Sequence, residues 1–504
     1  MNSALPMGRH NSNRRRVPAS CSLEVFQVIL FTLALSLLAT GCAVGPNYKP
    51  PVNSALPPTY SSGARTNPAP AALLSQWWTV FQDAQLDMLI REAAETNLDL
   101  RLATARLKEV RAQRLSAAAS WFPAVNAGAG YARSRSSENA AAGRSLNAFR
   151  IPLENDDFSA RMDVSWELDL FGGTRRSVEA ARADLAASAE MRREVLVSVL
   201  SEVGLGYLDL RGFQRQLAVA RENLTAQEQT LKLTRDRSKA GLSSELDTAR
   251  AEAQVARTRS QIPPLEEGVS RSLHHLSVML ARPPADLVER LGTVAPIPSS
   301  PPGVPVGLPS DLLRRRPDVR RAERELAAAT ARIGVATSDL FPKFFLTGAA
   351  GLQSLESSDF INAGSRLWSL GPSLKWPLFA GGKIRQGIRV QEARQEQALL
   401  RYEQVVLRSL EEVENSLVAF GREQERQRSL VDAERATRRA SVLAGEQHRA
   451  GLVDFLTVLD ADRSLLAAQD ELARSERMLG QNLIRLYKAL GGGWEPAQAH
   501  GAIR

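Results

Sequence analysis

The second half of this 504-residue chain repeats landmarks of the first half in the same order, and this constrains its fold more than any other feature. The triplet Ala-Gly-Leu at 240–242 recurs at 450–452, an offset of 210 residues, and Glu202-Val203 recurs as Glu412-Val413 at the same offset. Chance matches seldom keep register over such a distance. The sequence therefore predicts a tandem duplication of large units, far longer than the roughly 20–50-residue periods of solenoid repeats.

Each half contains segments in which apolar and polar residues alternate. The clearest runs from Phe158 to Asp169, twelve residues with a strict period of two. Such alternation is typical of a β-strand with one apolar and one charged face. A tilted membrane strand needs about 9–11 residues. We therefore predict that the even-numbered residues of 158–168 face lipid and that the odd-numbered ones face an aqueous lumen.

Four strands are predicted in all, near 124–134, 158–171, 343–353 and 367–379. A polar loop is expected over 134–157. Any single strand could equally be half-buried in a sheet that is not in a membrane. Trp166, Trp368 and Trp376 near strand ends favour the membrane interpretation, because tryptophan is enriched at membrane–water interfaces.

The remainder of each half is predicted to be helical. A helix is expected from Asp83 to Ala119, and the 67 residues from Thr174 to Ala240 contain no proline. A continuous helix of that length would extend ~100 Å at ~1.5 Å per residue. Leu217, Leu224 and Leu231 are spaced by sevens, which indicates coiled-coil packing. The two Ala-Gly-Leu triplets should turn each long helix into a hairpin, with glycine at the turn.

The N-terminus has the features of a processing segment. Three consecutive arginines at 14–16 precede an apolar run from Val25 to Leu38, which is 14 residues long. A transmembrane helix needs about 20 residues, so a secretory signal is the better interpretation. The run ends in small residues before Cys42, which resembles a bacterial lipobox, although Leu38 lies one position further from the cysteine than usual. We expect Cys42 to carry diacylglycerol and palmitate; a plain signal peptide with an incidental cysteine is the alternative.

These features give an expected organisation for the whole chain. The predicted segments are a signal peptide at 1–41, a lipidated extended segment at 42–75, repeat one at 76–281, a proline-rich linker at 282–309, repeat two at 310–490 and a C-terminal tail at 491–504.

Sequence motifs for catalysis are absent. The chain has no Walker A loop, no His-Glu-x-x-His and no cysteine pair for zinc, so we expect no enzyme activity, no cofactor and no metal site. Glu154, Asp156 and Asp157 are a weak candidate for a cation site, and Gly204-x-Gly206 is best interpreted as a packing notch within a helix. Apolar residues make up 44% of the chain and charged residues 24%, which excludes wholesale disorder. The net charge of +9 is spread over helices that also carry acids, so no nucleic-acid partner is expected.

Four strands are too few for one chain to close a membrane barrel, which requires about eight. An open strand edge in lipid is forbidden because its backbone groups would be unpaired. The fold class expected is therefore mixed α and membrane β, with a barrel shared between subunits.

Several motifs resemble those of the TolC-like outer-membrane efflux proteins, specifically the NodT-type lipoproteins of resistance-nodulation-division pumps. The matching segments are residues 42–50, Trp77-Trp78, 313–319, 331–336, Phe341-Pro342 and 486–494. The resemblance implies a homotrimer with a shared 12-stranded barrel and a long periplasmic α-barrel, anchored by lipid in the outer membrane. It also implies a passive exit duct for small molecules, joined by a periplasmic adaptor to an inner-membrane pump.

The resemblance further implies a gate at the periplasmic tip, lined by Leu456, Asp460 and Arg463. Spacings of four and three residues place all three on one helical face, and Asp460 and Arg463 would pair within or between protomers. Leu246 and Arg250 occupy the corresponding offset in repeat one. An exposed ion pair without a gating role, worth ~0–1 kcal/mol, is the simpler interpretation.

A second function class remains open at this point, a lipid-anchored periplasmic coiled-coil protein without a pore. The amphipathic strands discriminate between the two classes, because they would have no role in a pore-less protein.

Overall fold

The computed structural model describes residues 43–51, 57–61, 74–301, 303, 307 and 309–494. The predicted signal peptide and the lipidation site Cys42 lie outside these residues. The described chain divides into two compact units. The sheet unit comprises residues 43–46, 118–177 and 332–389, and the helical unit comprises the described residues of 47–117, 178–331 and 390–494.

The α-helices follow one another in an order that is similar in the two halves. They are α1 (Ala84–Thr96), α2 (Leu98–Ala119), α3 (Ala141–Ala148), α4 (Gly173–Lys239), α5 (Glu245–Met279), α6 (Val288–Leu291), α7 (Pro309–Arg315), α8 (Pro317–Ser338), α9 (Lys383–Arg449) and α10 (Phe455–Ala489). Helices α4 and α9 each have 67 residues, and α5 and α10 each have 35. No helix in the described ranges is both long enough and apolar enough to cross a membrane.

The helix predicted from Asp83 to Ala119 is in fact two helices separated at Asn97. The Asn97 side-chain oxygen accepts hydrogen bonds from the backbone N–H groups of Asp99 and Leu100, at 2.9 and 3.1 Å, and so caps α2. Its amide nitrogen donates to the carbonyl of Met279 at 2.8 Å. Asparagine is a strong N-cap because its side chain satisfies backbone donors that the helix leaves free. The break therefore ties the start of α2 to the end of α5.

The sheet unit contains one antiparallel sheet of four strands in the order β1-β2-β3-β4. The strands are β1 (Ala124–Arg135), β2 (Glu154–Leu168), β3 (Lys343–Ser354) and β4 (Arg366–Lys375). The segment predicted as a polar loop is shorter than expected, because β2 begins at Glu154 and α3 lies between β1 and β2. Arg133 and Arg135 on β1 bind Glu154, which extends the pairing of β1 with β2 beyond the apolar stretch.

The main hydrophobic core of the helical unit forms around Trp77, which is fully buried. Its ring stacks on Tyr487 of α10 with 6.2 Å between centroids. A Cβ on Gly204 of α4 would lie 2.8 Å from the Trp77 ring and 2.9 Å from Ile484 of α10. The absence of a side chain at Gly204 therefore lets α4 and α10 approach closely. Gly204 is thus a packing notch, as the sequence indicated.

The Arg-Pro-Asp motif at 316–318 holds the same unit together. The buried Arg316 guanidinium pairs with Asp318 at 2.6 Å and with Glu412 of α9 at 2.7 Å. It also donates to the carbonyl of Ala489 at 3.0 Å. Since a buried charge is tolerated only when it is paired and hydrogen-bonded, these contacts explain why arginine stands at this position.

Candidate functional site

The register of the sheet gives all four strands a common apolar face. Val164 on β2 is paired with Val125 on β1 and with Gly348 on β3. Directly paired residues of antiparallel strands point to the same side of a sheet. The apolar stretch of this face carries Val125, Ala127, Ala129, Tyr131, Phe158, Ala160, Met162, Val164, Trp166, Leu168, Phe344, Leu346, Gly348, Ala350, Leu352, Trp368, Leu370, Pro372 and Leu374. At one end of the sheet the same face becomes polar, with Arg133, Arg135, Glu154, Asp156, Ser354 and Arg366.

The opposite face is mainly small, polar or charged. Arg161 is paired with Gly128 and Gly351, and Asp163 is paired with Asn126. The face carries Asn126, Gly128, Gly130, Ser159, Arg161, Asp163, Ser165, Glu167, Lys343, Phe345, Thr347, Ala349, Gly351, Leu367, Ser369, Gly371, Ser373 and Lys375. A sheet with one continuous apolar face and one polar face can separate lipid from water.

Two tryptophans anchor the strand ends in the same way. The Trp166 indole N–H donates to the carbonyl of Trp121 at 3.0 Å, and that of Trp376 donates to the carbonyl of Leu340 at 3.1 Å. Both acceptors lie in the turn that precedes a strand, β1 or β3. The indole ring is amphipathic, and its polar N–H finds a partner here while its apolar body stays half-exposed.

The outer strands of the sheet each have a free edge. Within the described ranges β1 pairs only with β2, and β4 pairs only with β3. Every residue of β1 is exposed in the single chain. A long exposed strand edge is a template for pairing with another chain.

The carboxylates considered as a weak cation site are bound by protein donors. Arg133 contacts Glu154 at 3.1 Å, the Tyr131 hydroxyl donates to Asp156 at 2.9 Å, and the Gln353 amide donates to Asp157 at 2.9 Å. No group of three or more His, Cys, Asp or Glu residues within the described chain could hold a metal ion.

The two long hairpins turn through the same backbone geometry. Gly241 has a φ of +71° and Gly451 a φ of +75°, the left-handed conformation that favours glycine. The N–H of Leu242 donates to the carbonyl of Arg237 at 2.8 Å, and that of Leu452 to the carbonyl of Gln447 at 2.9 Å. These bonds form the Schellman motif that ends helices at a left-handed glycine.

The structure places Leu456, Asp460 and Arg463 on one exposed face of α10. Leu456 is 44% exposed, whereas Phe455 and Leu459 are buried against the neighbouring helices. Asp460 and Arg463 do not form an ion pair within the described chain. The Arg463 Nε instead donates to the Gln254 side-chain oxygen of α5 at 2.8 Å. Gln254 is buried and offers this acceptor on the adjacent helix, so Arg463 links the two hairpins.

The repeat-one residues Leu246 and Arg250 lie at the first hairpin. Leu246 is exposed, and the Arg250 Nη1 lies 3.9 Å from the Asp247 carboxylate. Two hydrogen bonds from Thr457 hold the pKa of Asp454 below its usual value, and the positive charge of Arg250 lowers this pKa further. Asp454 caps α10 and was not identified from the sequence; its signal is the Asp-x-x-Thr spacing of a helix cap.

Comparison with known proteins now settles the family. The model of the family described as "outer membrane efflux protein" matches residues 89–282 and 308–492. The chain belongs to this family. Nodulation protein T of Rhizobium leguminosarum bv. trifolii is 31% identical over 466 residues, which cover 92% of this chain and 97% of that protein. The pyoverdine export outer membrane protein OpmQ of Pseudomonas putida is 33% identical over 472 residues, covering 92% and 97% respectively.

A solved structure of this family shows that the single chain has a TolC-like channel fold. The outer-membrane channel OprN superposes with a TM-score of 0.83 at 35% identity, covering 90% of this chain and 100% of that chain. The resemblance to TolC-like efflux proteins is therefore confirmed. The chain is an outer-membrane exit duct of an efflux system, and its family consists of channels, not enzymes. The pore-less coiled-coil alternative is set aside, because it leaves the apolar sheet face without a role.

Proposed function

We propose that three copies of this chain join their sheets into one 12-stranded barrel in the outer membrane. The observation that carries the proposal is the apolar face shared by all four strands, whose opposite face is polar. In the barrel the apolar face contacts lipid and the polar face lines a water-filled lumen. Small molecules would cross this duct passively, and an inner-membrane pump would supply the energy for their export.

The free edges of β1 and β4 support a barrel built from several copies. Unpaired backbone groups cost several kcal/mol each in lipid, so both edges need a partner. Since neighbouring strands alternate in direction, β4 of one protomer is antiparallel to β1 of the next. This is a head-to-tail contact, which closes into a ring when the rotation permits. Two copies would give eight strands, whose interior is just filled by side chains, whereas three leave room for a channel.

The proposed partners are those that the family resemblance implies. The two glycine-turned hairpins would form the periplasmic α-barrel and meet a periplasmic adaptor at their tips, and the adaptor would join the duct to a resistance-nodulation-division pump. At these tips Leu456, Asp460 and Arg463 would line a gate, with Leu246 and Arg250 as the repeat-one counterparts. The exposure of Leu456 in the single chain supports this, because a gate side chain must be free to face the pore.

We also propose that Cys42 is the lipidated first residue of the mature protein. A lipid carrying more than one acyl chain anchors stably, at ~0.8 kcal/mol for each buried CH₂. Mass spectrometry of the mature N-terminal peptide measures this directly. A peptide that begins elsewhere, or that begins at Cys42 without acyl chains, would contradict the proposal.

Conductance across a planar lipid bilayer tests the channel itself. Purified full-length protein added to one side should produce discrete current steps of uniform size. A matched preparation of a barrel-disrupting variant, in which Val164 and Met162 are both replaced by Asp, should produce none, because both side chains lie on the apolar face. Absence of current steps from well-folded wild-type protein would overturn the channel proposal.

A further inference from the structure

Three lysines converge on one pocket at an end of the sheet, in a chain with only eight lysines. Lys343 on β3 is paired directly with Lys375 on β4, and Lys383 is the first residue of α9. The cavity has a volume of about 580 Å³. Phe345 and Ile384 contribute apolar walls. The pocket therefore combines flexible, positively charged lysine side chains with an apolar surface.

The pocket lies on the polar face of the sheet. Lys343, Phe345, Lys375 and the pocket residue Glu167 all belong to the polar face of the sheet. This inference rests on the proposed function, in which that face lines the lumen. The pocket then opens onto the route that the exported molecule takes.

The charges of the residues that line the pocket do not cancel. Lys343 is neutralised by Asp339, whose carboxylate lies 2.8 Å from its Nζ. Lys375 and Lys383 make no ion pair with any described residue. The remaining acid that lines the pocket in the described chain is Glu167. Three lysines thus face two carboxylates, Asp339 and Glu167, among the residues that line the pocket, which leaves one positive charge in each protomer. Asp169 also acts on Lys343 but lies outside this lining.

We propose that this pocket is a transient binding site for anionic amphiphilic cargo. A carboxylate or sulfonate would lie between Lys375 and Lys383, and the apolar part of the molecule would pack on Phe345 and Ile384. Lysine suits this role because its ammonium is a flexible, strongly hydrated point charge, without the fixed bidentate geometry of arginine. Conduction requires binding that is strong enough for entry and weak enough for release.

Current block in planar bilayers tests the site, with 1-naphthoate as the anionic probe and 1-naphthylmethylammonium as its cationic counterpart. Wild-type channels should be blocked by the anion at lower concentration than by the cation. The double variant Lys375→Gln/Lys383→Gln should raise the half-blocking concentration of naphthoate at least about fivefold, because each lost charge weakens anion attraction. The cation should block this variant as well as or better than wild type.

Two further variants sharpen the test. Glu167→Gln removes the competing negative charge and should shift the naphthoate block in the opposite direction, to lower concentration. Lys232→Gln/Lys239→Gln removes the same charge as the pocket variant but near the first hairpin turn, and should leave the block unchanged. An unchanged block in Lys375→Gln/Lys383→Gln overturns the site while leaving the channel proposal intact. Absence of any current in wild type would overturn the channel proposal itself.

Discussion

Val164 and Ser165 are sequence neighbours that point to opposite faces of β2. Val164 is paired with Val125 and Gly348, and Ser165 with Thr347. Val164→Arg should cost ~2–4 kcal/mol near the middle of the bilayer, because it exposes a charge to lipid. Ser165→Arg adds the same side chain to the lumen and should be tolerated. The measurement is the amount of heat-resistant oligomer in outer-membrane fractions on a denaturing gel.

Equal amounts of oligomer from the two arginine variants would contradict the assignment of faces. Val164→Ile serves as the control, since it changes the same position without adding charge and should assemble like wild type.

Single side chains also mark the limit of what the sequence predicts. The faces of β2 could be predicted because successive side chains of a strand point to opposite faces, so a period of two in the sequence assigns each residue to a face. The partner of Arg463 could not, because Gln254 is 209 residues away in sequence and meets it only through the packing of two hairpins. The sequence suggested Asp460 instead, which is closer along the helix but makes no ion pair with Arg463 in the described chain.

The second hairpin is the element that carries the proposed gate. Its turn at Gly451 leads into α10, where the buried face packs into the hairpin and Leu456 and Asp460 point away from it. Leu456→Ala with Asp460→Ala should increase both single-channel conductance and open time, because the apolar constriction and its flanking charge are removed together. Planar-bilayer recording gives both quantities.

Leu452→Ala is the matched control for the gate, because Leu452 is an exposed leucine of the same hairpin located in the turn itself. It should leave conductance unchanged. If the gate variant behaves like this control, Leu456 and Asp460 are surface residues without a gating role.

Whole elements could be predicted from the sequence where one local residue pattern determines the backbone. Glycine in Ala-Gly-Leu fixed both hairpin turns, because only glycine adopts positive φ without strain. The break at Asn97 was missed because alanine and leucine on both sides favour helix, although asparagine is itself a local N-cap signal. Its contact with Met279 depends on tertiary packing and could not be predicted from the sequence. Helix α3 was missed because it is only eight residues long and has no side-chain cap, and it lies in a polar segment between two strands.

At the scale of the whole molecule, the matched helix lengths support the predicted duplication. Helices α4 and α9 have equal length, as do α5 and α10, and a glycine turn separates α4 from α5 and α9 from α10. Each half also contributes two strands to one sheet. The number of copies in the assembly could not be derived from helix or strand patterns alone, because an edge strand indicates that a partner exists but not how many partners there are.

Native mass spectrometry of the detergent-solubilised full-length protein tests most directly whether each chain supplies one third of a shared barrel. A mass of three chains, with no stable monomer or dimer, is the predicted result, since ring closure pairs every β1 edge with a β4 edge and three chains supply the twelve strands that leave room for a channel. A stable folded monomer or dimer that still conducts in planar bilayers would contradict it.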